Sequence, residues 1–113
     1  MPTEVIWVLV NCGSVEEATK IGDAVLAARQ ASCFDIFPRT LARYFWPPRS
    51  GKTEEARGAL LVLETFDDRF DAVAGTVRQH HGEALPFTGA LRIERVSDAY
   101  RQWMSGELAD VAE

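Results

Sequence analysis

Residues 5–10, Val5-Ile6-Trp7-Val8-Leu9-Val10, are apolar without a break, and Asn11-Cys12-Gly13 ends the run. A strand with one wet face alternates apolar and polar residues. This one does not, so it reads as a strand covered on both faces. Helices can cover one face of a small sheet. The other face then needs a cover of its own, a first sign of self-association.

The remaining elements follow from local signals. Ser14-Val15-Glu16-Glu17 has the spacing of a capping box, and Ala18, Ile21, Val25 and Ala28 recur three or four apart, predicting a helix that ends near Ser32. An extended segment runs from Cys33 through Phe34, Ile36 and Phe37. It passes Pro38, which only an edge or bulged strand tolerates, and reaches Tyr44, Phe45 and Trp46. Pro47-Pro48-Arg49-Ser50-Gly51-Lys52 is a turn, and Ala59-Leu60-Leu61-Val62-Leu63 is a second buried run. The two strands make a long hairpin with a projecting tip. A helix from about Asp67 buries Phe70, Val73, Ala74 and Val77 and stops near His81-Gly82. A fourth strand covers residues 88–96, and Ser97 caps a short helix with Tyr100, Trp103 and Met104 on one side. The acidic residues 106–113 are expected to fray. No repeat or linker divides the chain, so residues 1–113 read as a single domain. The order β-α-β-β-α-β plus a C-terminal helix is an α+β, ferredoxin-like split βαβ arrangement.

Composition narrows the partners. A net charge of -5 leaves no basic surplus for phosphates, which argues against nucleic acid and anionic membranes. The early apolar run lacks a positive flank and is too short for a signal core or a membrane span, so the expected compartment is the cytoplasm. There Cys12 and Cys33 are thiols, and they lack C-x-x-C spacing.

His80 and His81 are the residues best suited to copper or zinc. Neighbours on a helix point about 100° apart, so the pair does not chelate one ion unaided, and a helix-end role on exposed carbonyls is the competing reading. Cys12 and Cys33 fall at opposite ends of strands separated by a third, roughly 17–20 Å apart, beyond a disulfide or a shared ion within one chain. Each is expected to pack in the core. Gly51-Lys52-Thr53 looks like the end of a phosphate loop, but Trp46 stands where its first glycine belongs and a strand follows instead of a helix. Trp7 is assigned to the core. Tyr44, Phe45 and Trp46 lie on an arm that cannot bury its own tip, which favours an interface. No Ser-His-Asp order, H-E-x-x-H or paired carboxylates suggests catalysis.

An ordered set of landmarks resembles the CutA family of divalent-cation tolerance proteins. They are Cys12 after the first strand, Ala31-Ser32-Cys33 before the second, Tyr44-Phe45-Trp46 near the hairpin tip, Leu60 to Thr65, His80-His81 with Pro86, and Tyr100-x-x-Trp103. Departures cluster where that family lines its inter-subunit cleft. Glu64 replaces a lysine, Arg57 or Gly58 an acid, Gly82 and Glu83 a Pro-Tyr pair, and Phe87 another acid, while the hairpin tip gains prolines.

The resemblance implies a cytoplasmic homotrimer, non-enzymatic, whose hairpins wrap neighbouring subunits and which responds to divalent metal, copper first. It makes His81 and Cys33 the leading ligands, with Cys12 and His80 behind them and Glu83 as an oxygen donor replacing lost groups. The downstream partner stays open. Two alternatives stand beside it. One is a sensor resembling the PII signalling proteins, binding an anionic metabolite in the inter-subunit cleft through Arg39, Arg43 or Lys52. The other is a non-catalytic trimeric platform for partners.

Overall fold

A computed structural model of the chain describes residues 3–83 and 85–108. The elements appear in the expected order: β1 (Val5–Cys12), α1 (Val15–Ala27), β2 (Cys33–Phe45), β3 (Thr53–Phe66), a 3-10 turn (Asp67–Arg69) leading into α2 (Phe70–His80), β4 (Thr88–Ile93) and α3 (Asp98–Leu108). The sheet order is β2-β3-β1-β4, with every neighbouring pair antiparallel. This is the ferredoxin-like topology, with β1 and β3 central.

Alternation along the central strands sets the core. Ile6, Val8, Val10 and Cys12 of β1, with Ala59, Leu61 and Leu63 of β3, meet Ala18, Ile21 and Val25 of α1 and Val73 and Val77 of α2. The opposite sheet face is only partly covered within the chain. Trp7 sits there between Glu64 and Leu91, 38% exposed, and its indole N–H donates to Glu64. The assignment of Trp7 to the core is therefore corrected: an unbroken apolar run does not say which face the chain itself covers. α3 closes one end of this face by burying Met104 and Leu108. Ser97 accepts the Tyr100 amide as its cap.

Three boundaries differ from expectation. α1 ends at Ala27 because Arg29 adopts φ 57°, a left-handed conformation that stops a helix. β4 ends at Ile93 because Val5, its partner there, is the first residue of β1. The helix after β4 extends to Leu108, and the rest of the acidic tail, residues 109–113, lies outside the described residues.

β1 ends opposite Ala59, so the earlier half of β3 and its partner on β2 continue as a two-stranded arm. Pro38 lies on β2, an edge strand, as its missing N–H requires. A bulge between Arg39 and Ala42 sets two residues of β2 against Arg57 alone. The arm stretches the chain to 47 Å and its radius of gyration to 15.3 Å, against about 13 Å for a compact chain of this length. Among the described residues no helix is long and apolar enough to cross a membrane.

Candidate metal centre

The end of β1, the first turn of α1 and the C-cap of α2 meet at one point. Ser14 caps α1 by accepting the Glu17 amide at 3.0 Å, which leaves the Glu17 carboxylate free to accept from Gly13 N (2.7 Å) and Gly82 N (2.7 Å). The carboxylate thus ties the helix start to the segment after α2. Burial opposes its charge, but the two backbone donors, with Lys20 nearby, outweigh burial and hold its pKa below 4.5.

His81 ends α2, and its side chain is 2% exposed. The Glu83 amide donates to Nδ1 at 3.1 Å, so Nδ1 carries the lone pair and Nε2–H donates to the Asn11 carbonyl at 2.6 Å. Nδ1 lies 3.8 Å from the Glu17 carboxylate. Beside them Cys12 is 1% exposed, its thiol pushed up to about 11 by burial and then by the charge of Glu17, against a smaller pull from Arg39. One ligand atom from each of Cys12, Glu17 and His81 lies within 4.8 Å of the others. Metal-bound donors of these types lie about 2.0–2.3 Å from the ion, hence roughly 3.5 Å apart. Small side-chain movements would close the set on an ion.

A second group joins Cys33, Asp35 and Glu64 on the open sheet face. Glu64 accepts from Trp7 Nε1 and Cys33 Sγ and, in a very short contact, from the Tyr100 hydroxyl. The Cys33 thiol is pushed up to about 11 by burial and by its hydrogen bond to Glu64. Glu64 raises the Tyr100 hydroxyl further still.

The sequence-derived residues therefore separate. His81 joins Cys12, whereas Cys33 stands opposite Glu64, five residues along β3 from the partner of Cys12, or about 17 Å. Both cysteines are free. His80 turns back on its own helix, Nδ1–H donating to the Thr76 carbonyl at 3.0 Å. Glu83 gives its backbone amide to His81, and its side chain lines a neighbouring cavity. Arg39 and Arg43 line that cavity as well, while Lys52 stands exposed at the hairpin tip. Tyr44, Phe45 and Trp46 are exposed on the arm. In the sequence Glu17 gives one signal, the S-x-x-E spacing of a helix cap.

The family model for CutA1 divalent ion tolerance protein matches residues 6–107. The divalent-cation tolerance protein CutA of Archaeoglobus fulgidus is 29% identical over 98 residues, which cover 87% of this chain and 92% of that protein. A CutA homolog of Danio rerio is 28% identical over 102 residues, 90% of this chain but only 66% of that longer relative. Among solved structures, the periplasmic divalent cation tolerance protein CutA from Archaeoglobus fulgidus superposes with a TM-score of 0.86. It is 26% identical and aligned over 92% of this chain and 98% of its own.

Proposed function

The chain belongs to the CutA1 divalent ion tolerance family, and from that premise we propose a single-domain, non-catalytic homotrimer that binds a divalent cation, copper first, at Cys12, Glu17 and His81. The observation that carries the metal reading is the convergence of a thiol, an imidazole and a carboxylate from three separate elements. Sulfur and imidazole favour copper and zinc over harder ions. Nδ1 of His81 is the lone-pair nitrogen and faces Glu17, and among the described residues an ion would displace the Glu83 amide from it. Cys12 holds its proton at neutral pH, so binding releases a proton and strengthens as pH rises.

The trimer reading is supported by the half-covered sheet face around Trp7 and by the arm that carries Tyr44, Phe45 and Trp46 beyond the body. Together they leave apolar surface at two places, as strands and aromatics that pack on neighbouring copies do. Two free thiols beside carboxylates suit a reducing compartment, the cytoplasm.

Native mass spectrometry with and without one equivalent of copper per chain tests both readings. The expected spectrum is a trimer that takes up copper, with His81→Ala staying trimeric and losing most of the uptake. A monomer removes the assembly. Equal copper on wild type and His81→Ala removes this site.

A further inference from the structure

Beyond the end of β1 the hairpin arm runs on, and the segment after α2 folds back across the gap. The cavity left there has a volume of about 300 Å³. Three of the chain's twelve lysines and arginines line it, Arg39, Arg43 and Arg57, although the net charge is -5. Glu83 is the one acid among its described lining residues, and Tyr44 and Phe87 supply apolar wall.

The backbone is shaped around Arg39. Gly58 adopts φ +142°, and a Cβ there would lie 2.3 Å from the Cys12 carbonyl and 3.0 Å from the Arg39 guanidinium. Only glycine lets the arm approach this closely. The bulge that sets Arg57 against two residues of β2 brings it to the same cavity. Arg39 is nevertheless poorly satisfied. Its Nη2 reaches the carbonyls of Cys12 and Arg57 at 3.5 and 3.4 Å, long against about 2.9–3.0 Å for a good N–H···O bond. Its Nε–H is buried with no acceptor among the described residues. Arg43 has Glu55 across the hairpin, whereas neither Arg39 nor Arg57 has an ion-pair partner among the described residues. An anion in the cavity would offer the weakly bonded Arg39 guanidinium shorter, charge-assisted hydrogen bonds than the two long carbonyl contacts. A guanidinium fork matches two oxygens of one carboxylate or phosphate.

We propose that this cavity binds a small organic oxyanion, a carboxylate or phosphate ester, gripped between Arg39 and Arg57 with its short carbon skeleton against Tyr44 and Phe87. The volume lies at the low end for ligand pockets, which selects a small metabolite over a dinucleotide. The proposal does not depend on metal at Cys12, since none of the gripping groups is a ligand there.

Calorimetric titration of the full chain with inorganic phosphate and with succinate, at constant ionic strength, tests it. Saturable binding of at least one anion is expected, one per chain. Arg39→Gln and Arg57→Gln should each weaken it about tenfold or more. Arg95→Gln, an exposed residue outside the lining, should leave it unchanged. Arg57 is itself exposed, so its substitution spares the fold if Arg39→Gln does not. Preference for succinate identifies a carboxylate ligand, and preference for phosphate a phosphoryl one. No saturable binding below about 10 mM, or affinity untouched by Arg57→Gln, overturns the proposal.

Discussion

Two thiol-bearing clusters flank β3. Opposite Ala59, Cys12 joins Glu17 and His81 at the meeting of three elements; opposite Glu64, Cys33 lies on the open face with Asp35. Both thiols are pushed up to about 11, so protonation does not tell the clusters apart. What differs is where the lone pairs go. At the first cluster the imidazole nitrogen accepts the Glu83 amide and the carboxylate accepts the Gly13 and Gly82 amides, so backbone donors and not the cluster's own side chains engage its acceptors. At the second, the Glu64 carboxylate already accepts from an indole, a thiol and a phenol, and no imidazole is present. A cluster whose acceptors are filled by its own donors is a structural tie. One that gathers an imidazole, a thiol and a carboxylate with only backbone amides on its acceptors is a candidate ligand set.

The contrast can be broken most severely at Gly58. Gly58→Ala forces a side chain into a left-handed backbone and against the Cys12 carbonyl, and should cost about 2–4 kcal/mol. The urea midpoint should fall accordingly, with the Cys12 end opening first: hydrogen exchange at Asn11 to Gly13 should rise more than at Cys33 to Asp35. Equal loss at both ends would mean that the two clusters are not independent. Glu17→Gln comes next, at about 2 kcal/mol, because a carboxylate with two backbone donors becomes an amide that offers an oxygen to only one. The pH dependence gives a sharper check. The folded pKa of Glu17 lies below 4.5, so its stabilisation is present above that value and drains as pH falls through the lower folded pKa. Wild-type urea midpoints should drop below about pH 4.5, and the variant should show a flatter acid limb. An identical slope would remove Glu17 as the group responsible.

Much of the first cluster's scaffold was legible in the sequence, and much of its chemistry was not. Ser14 and Ser97 announce helix starts, Pro38 announces an edge strand, and both serines and the proline sit where those signals place them. Cys12 and His81 stand out in the sequence as separate candidates. Their meeting with Glu17 depends on α1 and α2 packing side by side over β1, and no local spacing encodes that contact. In the sequence Arg57 stands out only as a departure from a family pattern, because its position in the cavity follows from a bulge that appears once β2 and β3 are in register. Trp7 was misplaced for a related reason. Hydrophobicity reports that a face avoids water, and it is silent on whether the same chain or another supplies the cover.

The smallest expected effect belongs to Glu64, and it tests whether the second cluster is the closed tie described above. Glu64→Leu removes the shared acceptor of Trp7, Cys33 and Tyr100. Water reaches this face, so the stability loss should stay near or below about 1 kcal/mol. The titration should change more visibly. Glu64 is the main cause of the raised Tyr100 pKa, so the hydroxyl should ionise closer to about 10 once the carboxylate is gone. Tyr44 is the chain's other tyrosine, and a Tyr44→Phe background makes the tyrosinate absorbance report on Tyr100 alone. A midpoint that moves down while copper uptake at Cys12 is retained would separate the two ends of β3 by function. If copper uptake falls with the Glu64 substitution instead, the second cluster participates in binding and the distinction by lone pairs fails.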